Sequence, residues 1–196
     1  MQFLQGKTAL VTGSTSGIGL GMAHALASHG ANLVLNGFGD AQAACDAVAK
    51  HGTQVMHHPA DMTQPTEIEA MMAEATARLG RVDIVINNAG IQHVAPLASF
   101  PTERWDAVIA INLSSAFHTT RLALPAMIQA GWGRIINIAS THGLVASAHK
   151  AAYVAAKHGI IGLTKVTAME AANSGVTCNA ICPGWVLTPL VQQQVA

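Results

Sequence analysis

The chain has 196 residues, the length of one ordinary domain, and 51% of them are hydrophobic, which suffices for a continuous core. Its ten basic and ten acidic residues are scattered and cancel to a net charge of zero, so the sequence offers no basic face for nucleic acid or an anionic membrane. No segment has the pattern of a signal peptide or a transmembrane helix, and the sequence predicts a soluble cytosolic protein.

Short apolar runs alternate along the chain with longer alanine-rich segments of helical period. Several of the runs, such as 84–86, are apolar throughout, which is typical of strands covered on both faces in a parallel sheet. With right-handed crossovers, this order predicts a single α/β domain over residues 1–196, with a Rossmann-like doubly wound parallel sheet and helices on both faces. The strands are predicted near 8–12, 32–36, 54–57, 82–86, 134–138 and 176–181.

The first predicted strand is followed by a glycine-rich loop, residues 12–19, which reads TGSTSGIG. An alanine-rich amphipathic helix is predicted directly after it, from Leu20 to His29. Glycines allow a tight turn, and the free N–H groups of a helix N-terminus attract a pyrophosphate. The alternative is a flexible turn with chance glycines, but the preceding strand and following helix favour a phosphate site.

The second predicted strand ends in the sequence NGFGD, residues 36–40, where a dinucleotide's ribose is usually bound. No Arg or Lys occurs between Ala31 and Ala49 to meet the 2′-phosphate of NADP, and the sequence therefore favours NAD. Asp40 is a weak candidate for the acid that hydrogen-bonds the ribose. Asp61, after the third strand, is a candidate N-cap of the helix that begins near Gln64, although it lies early for a cap.

Cysteines and histidines do not suggest a metal site. Cys45, Cys178 and Cys182 cannot all pair, and their spacing fits neither a disulfide framework nor a CxxC metal knuckle. His57 and His58 are adjacent, so a strand would send them to opposite faces, and no HExxH pattern occurs. We expect reduced cysteines, no bound metal, and histidines that lie mostly on the surface or in loops.

Tyr153 and Lys157 are four residues apart, so a helix would present them on one face. A phenol has a pKa of about 10 in water, and a nearby ammonium favours the phenolate. The pair could therefore exchange a proton near neutral pH. The alternative assigns Tyr153 to the core and Lys157 to a solvated helix face.

Several motifs in a fixed order make the chain resemble the short-chain dehydrogenase/reductase family over nearly its whole length. They are the GxxxGxG spacing of the glycine-rich loop, NNAG at 87–90, Asn112, Ser140, the YxxxK pattern at 153–157, and Pro183-Gly184. The resemblance implies that Tyr153 takes the substrate proton, that Lys157 binds the nicotinamide ribose, that Ser140 holds the substrate oxygen and that Asn112 anchors a water behind Lys157.

The resemblance also implies a nicotinamide-cofactor site formed by residues from most strand ends, with Asp61 in contact with the adenine as the alternative to its capping a helix. It would comprise Gly13, Thr15, Ser16, Gly17, Ile18, Gly19, Phe38, Asp61, Met62, Asn88, Ala89, Gly90, Tyr153, Lys157, Pro183, Gly184, Val186 and Thr188.

The polar residues next to these motifs suit a small carboxylate. Lys150 lies three residues before Tyr153 and would share its helix face if the helix already includes it, although a mobile surface lysine is equally consistent with the sequence. Gln92, His142 and Trp185 would add an amide, an imidazole and an aromatic wall beside Ser140 and Tyr153.

Within the family, the resemblance narrows to enzymes that reversibly oxidise D-3-hydroxybutyrate to acetoacetate. The segments that carry it are NGFGD at 36–40, AGIQH at 89–93, HGLVAS at 142–147 and NAICPGW at 179–185. It implies that Gln92, His142 and Lys150 bind the carboxylate together with a lid glutamine, Gln194, with Gln192 and Gln193 as other possibilities. It also implies a homotetramer. Alternatives are a 3-oxoacyl thioester reductase of the same family and a non-catalytic nicotinamide-binding module. Family members generally continue for about another quarter of their length, so this sequence is expected to lack the rest of the lid and a last strand.

Overall fold

The structure, a computed structural model, describes residues 2–186. Its centre is one parallel sheet of six strands in the order β3-β2-β1-β4-β5-β6. The strands are β1 (Thr8–Val11), β2 (Asn32–Asn36), β3 (Val55–His58), β4 (Val82–Asn87), β5 (Gly133–Ile138) and β6 (Val176–Ile181). Every predicted strand is present, with ends that differ by one residue at most, and the doubly wound α/β class is confirmed.

Six α-helices connect the strands. They are α1 (Gly17–Ser28), α2 (Ala41–Ala49), α3 (Pro65–Leu79), α4 (Thr102–Ile109), α5 (Ser115–Gln129) and α6 (Ala151–Glu170), with a π-helical turn (Ala110–Ser114) between α4 and α5. The first helix begins three residues before the predicted Leu20, because Gly17 and Ile18 of the glycine-rich loop already belong to its first turn.

Alternate residues of the strands supply two hydrophobic clusters, one on each face of the sheet. In β1, Leu10 joins the cluster that contains residues of α3 and α5, whereas Ala9 and Val11 join the one formed with α1 and α2. A strand buried on both faces has no position that favours a polar side chain. This explains the apolar runs within the central strands, such as residues 9–11 of β1, 33–35 of β2 and 84–86 of β4.

The strand order reverses between β1 and β4. From β1 the chain proceeds outward to β2 and β3, and it then returns to place β4 on the other side of β1. Neighbouring loops diverge at this point and leave a crevice beyond the carboxyl ends of the strands, where ligands of such sheets bind.

No helix within residues 2–186 is both long enough and apolar enough to cross a membrane. In the same part of the chain, no group of three or more His, Cys, Asp or Glu side chains could hold a metal ion, and the three cysteines are free.

The two-sided core makes a stability prediction. Ile135 of β5 is fully buried in the cluster that faces α3 and α5, so Ile135→Ala should lower the free energy of unfolding by about 2–5 kcal/mol in urea titrations. Ile128→Ala is the matched control, since this side chain is 42% exposed on α5, and its effect should be below about 0.5 kcal/mol. Equal effects of the two substitutions would contradict the packing described above.

Candidate active site

A cleft of about 510 Å³ opens beyond the carboxyl ends of the strands. Apart from Asp40, it is lined by every residue within 2–186 that the sequence assigned to cofactor or substrate binding. Thr188 and Gln194, as well as Gln192 and Gln193, lie outside the described residues. We distinguish a β2 end of the cleft, with Phe38, Asp61 and Met62, from an α6 end, with Tyr153 and Lys157.

The glycine-rich loop can exist only with glycine at two of its positions. Gly13 has a φ of 63°, and a Cβ added there would lie 2.9 Å from the Cα of Ala89. A Cβ at Gly19 would lie 2.3 Å from the carbonyl oxygen of Gly13. The close approach brings the backbone and the N-terminus of α1 to the cleft, where N–H groups and the helix dipole favour a phosphate.

The ends of β1 and β4 are tied together by polar side chains. The Thr12 hydroxyl oxygen accepts hydrogen bonds from the backbone N–H groups of Asn88 and Ala89, both at 3.0 Å. The Asn88 amide donates to the carbonyls of Thr12 and Gly13 at 2.9 and 3.0 Å. The predicted NNAG segment is thereby fixed against the glycine-rich loop.

Sequence reasoning missed Asn36, the last residue of β2. Its buried side chain accepts from the Gly13 N–H at 3.3 Å and donates to the carbonyls of His58 and Ala60 at 3.2 and 2.9 Å. It therefore joins the loops after β1, β2 and β3. The only available signal was its position at a strand's carboxyl end, which Thr12 shares.

Of the two acidic residues near the β2 end, Asp61 lines the cleft and Asp40 does not. Asp61 lines the cleft, and its carboxylate accepts from the Thr63 N–H at 2.8 Å. The N-cap of α3 is Gln64, so the N-cap alternative for Asp61 is wrong. Asp40 caps α2 instead, accepts from the Ala43 N–H at 3.0 Å and does not line the cleft. The suggestion that Asp40 meets the ribose is therefore not supported.

Helix α6 and strand β5 bring Tyr153, Lys157 and Ser140 together at the α6 end. Lys157 is buried, and its ammonium group donates to the Ile138 carbonyl at 2.6 Å, at the end of β5. The same nitrogen lies 5.6 Å from the centroid of the Tyr153 ring. The predicted common face of Tyr153 and Lys157 is therefore present.

The electrostatics of this pair differ from the sequence expectation. Burial lowers the pKa of Lys157 to about 8, with a smaller opposing effect of Cys182, so the amine remains mostly protonated at pH 7. Burial also raises the pKa of Tyr153, and interaction with the Ser140 hydroxyl opposes this rise. The net shift of the phenol pKa is thus opposite to the expected lowering, because desolvation of Tyr153 is the largest effect.

Asn112 lies in the π-helical turn and is buried. Its side-chain oxygen accepts from the Ile91 N–H at 2.8 Å, and its side-chain nitrogen donates to the Ile91 carbonyl at 2.9 Å. Asn112 does not line the cleft, unlike Ile91 and Gln92. Through these two hydrogen bonds its side chain holds the segment that carries Gln92 in place. The expected role of Asn112 in anchoring a water stays a prediction.

A cation, an imidazole and an aromatic ring meet next to Tyr153. Lys150 is the N-cap of α6 rather than a residue within it, yet it lines the cleft, and its ammonium lies 5.7 Å from the Trp185 ring centroid. His142 contacts the Ser147 hydroxyl through Nε2 at 2.7 Å, and burial together with the Lys150 charge lowers its pKa. These groups can hold a carboxylate near the proton-transfer pair.

The backbone before Lys150 has an uncommon conformation. His149 has a φ of 66°, a left-handed value that no other non-glycine residue within 2–186 adopts, and its carbonyl accepts from the Ala95 N–H at 2.9 Å. Such values persist where surrounding contacts enforce them. The contact joins the turn before α6 to the segment that follows Gln92.

Comparisons with known proteins point to one family. A family model described as short chain dehydrogenase matches residues 7–196. The chain is 70% identical to a D-beta-hydroxybutyrate dehydrogenase from Cupriavidus necator over 98% of this chain and 75% of that protein. It is 62% identical to a D-beta-hydroxybutyrate dehydrogenase from Rhizobium meliloti over 96% of this chain and 75% of that protein. The crystal structure of a "putative gluconate dehydrogenase" from Agrobacterium tumefaciens superposes with a TM-score of 0.93 at 39% identity, and the match covers 98% of this chain and 77% of that one.

The glycine-rich loop provides a test with an internal control. Gly19→Ala should abolish nucleotide binding, since the new methyl group would lie 2.3 Å from the Gly13 carbonyl oxygen and 2.6 Å from the Asn88 amide. Gly21→Ala, two residues further along α1, meets no atom within 4 Å and should bind normally while stabilising the helix by about 1 kcal/mol. NADH fluorescence titration would measure both affinities. Normal binding by the Gly19→Ala protein would refute the proposed cradle.

Proposed function

Since the chain belongs to the short-chain dehydrogenase family, we propose that it reversibly oxidises D-3-hydroxybutyrate to acetoacetate with NAD. The chain is an oxidoreductase that uses a nicotinamide cofactor. The observation that carries the substrate assignment is the placement of Lys150 and His142 in the same cleft as Tyr153 and Ser140. A short hydroxy acid has a carboxylate and a reactive hydroxyl only two carbon atoms apart, and this arrangement offers partners for both.

The cofactor part of the proposal is supported by the cleft's shape and charge. The glycine-rich loop and the start of α1 would hold the pyrophosphate, and Lys157 would bind the nicotinamide ribose. The two lysines that line the cleft, Lys150 and Lys157, are both at its α6 end. Residues 31–49, which include the loop after β2, contain no Arg or Lys. A 2′-phosphate would find no cation there, which favours NAD over NADP.

The chain's own residues provide the proton transfer. A nicotinamide held at the α6 end would supply the hydride acceptor in the oxidation direction. Tyr153, as phenolate, takes the proton of the substrate hydroxyl, while the Ser140 hydroxyl hydrogen-bonds the same oxygen. Lys157 remains mostly a cation at neutral pH, and its positive charge, 5.6 Å from the centroid of the phenol ring, favours the phenolate, whereas burial of Tyr153 opposes it.

The other functions considered have weaker support. A protein from Streptomyces coelicolor named as a putative ketoacyl reductase is 39% identical to this chain, far below the two hydroxybutyrate dehydrogenases. An acyl carrier protein would also require a basic docking surface, which a net charge of zero does not favour. A non-catalytic binding module would have no need for Tyr153 next to Ser140.

We include a homotetramer in the proposal. Large apolar side chains are exposed on the outer helices, namely Phe117 of α5 and Val166 and Met169 of α6. Exposed apolar surface of this kind favours association with another subunit.

Tyr153→Phe tests the proton step. The variant should bind NADH like the wild type and lose about two to four orders of magnitude in kcat, because no other group replaces the phenolate. In the wild type, kcat/KM for alcohol oxidation should rise as the pH increases above neutrality, since burial raises the pKa of Tyr153 and the phenolate is the reactive form. Undiminished turnover by Tyr153→Phe would disprove the mechanism.

Lys150→Ala tests the carboxylate site. Loss of a charge-assisted hydrogen bond should raise KM for D-3-hydroxybutyrate about 10- to 100-fold, with the KM for NAD unchanged. Lys165→Ala, which removes an exposed lysine from α6, the helix that Lys150 caps, is the control and should behave like the wild type. If Lys150→Ala kept the wild-type kcat/KM, another group would have to bind the carboxylate.

A further inference from the structure

We infer that His57 is a positioning residue that sets the preference for NAD. It does so by hydrogen-bonding the β2–α2 loop (residues 37–40) from β3, outside the cleft. The inference rests on the proposed function in one respect, namely that NAD rather than NADP is the cofactor. It concerns a side chain that does not line the cleft and that none of the motifs assigns to cofactor binding.

The first contact in support joins β3 to this loop. His57 Nε2 lies 2.9 Å from the Gly37 carbonyl oxygen. A carbonyl oxygen only accepts hydrogen bonds, so Nε2 must carry a proton and donate it. The parallel register of β2 and β3 pairs Leu35 with His57, which places the half-buried imidazole beside the turn that follows β2.

A second contact, from the glycine-rich loop, holds the next carbonyl. The Thr15 hydroxyl donates to the Phe38 carbonyl at 2.6 Å. Gly37 has a φ of 141°, and a Cβ there would lie 2.8 Å from the Thr15 hydroxyl oxygen. Two consecutive carbonyls of the loop therefore each have a donor, one from β3 and one from the glycine-rich loop, and together these contacts define the backbone path of residues 37 and 38.

This arrangement leaves little for a 2′-phosphate to bind. A phosphate dianion needs hydrogen-bond donors or cations, and the donors of His57 and Thr15 are already directed at the loop's own carbonyls. The charged side chain that lines this end of the cleft is Asp61, a carboxylate. A ribose with a free 2′-hydroxyl carries no charge at this position, so the Asp61 carboxylate does not repel it. The loop held by His57 thus favours NAD and disfavours NADP.

The test compares two variants of His57 with a control. Direct titration of NADH and NADPH gives a Kd for each, and the ratio of Kd for NADPH to Kd for NADH measures selectivity. In His57→Ala the ratio should fall about two- to tenfold, the range expected for one hydrogen bond. The kcat at saturating NAD should be unchanged, because the reacting groups are at the other end of the cleft.

Two further proteins separate positioning from general stability. His57→Gln keeps an N–H donor at the end of a side chain of similar reach, so it should restore the wild-type ratio. His51→Ala removes an exposed histidine just beyond α2, and its ratio should equal that of the wild type. Tm values would be recorded for all four proteins.

An unchanged ratio in His57→Ala would overturn the inference, as would equal weakening of NADH and NADPH together with a lowered Tm. Failure of His57→Gln to restore the ratio would also contradict it. Tighter binding of NADPH than of NADH by the wild type would refute the proposed NAD preference instead, which distinguishes the two failures.

Discussion

The hydrogen bonds between the ends of β1 and β4 are the constraint on which the rest of the site depends. The sheet reverses its order at this pair of strands, so the chain leaves β1 towards one side and β4 towards the other. Hydrogen bonds between Thr12 and Asn88, which involve backbone and side-chain groups of both residues, connect the ends of the two strands. Because both segments are held at the same point, the glycine-rich loop and the segment with Ile91 and Gln92 face each other across one cleft.

Burial of a charged group is the second constraint. Lys157 is almost fully buried, and the Ile138 carbonyl is the partner that accepts its hydrogen bond. Desolvation lowers its pKa to about 8, so the ammonium is retained at neutral pH at a cost in folding stability. An unfolded lysine keeps its proton to higher pH, and this cost therefore disappears as the pH rises above the folded pKa. Such a group is common at functional sites, where the charge is used in chemistry.

The cleft is also polarised along its length. Lys150 and Lys157 are both at the α6 end, near the phenol and the imidazole of His142, whereas the β2 end has Asp61 and backbone carbonyls. This separation of charge suits a dinucleotide whose nicotinamide ring binds at the α6 end, next to a small anionic substrate. The fold produces it because α6, which carries the acid/base pair and begins at Lys150, packs beside β5 and β6, at the opposite side of the sheet from β2 and β3.

The sequence by itself determined the positions along the chain, and nearly the ends, of all six strands, since most of them contain a short apolar run bounded by turn residues. It also determined the glycine-rich loop and the face shared by Tyr153 and Lys157, because both depend on spacing within one segment. Only the tertiary structure decided that Asp40 caps a helix, that Asn112 binds Ile91 and that burial raises the pKa of Tyr153. It also revealed Thr12, Asn36 and His57. These outcomes depend on partners as far as 77 residues away, as with Thr12 and Ala89, and on desolvation by packed neighbours, neither of which a local sequence pattern encodes.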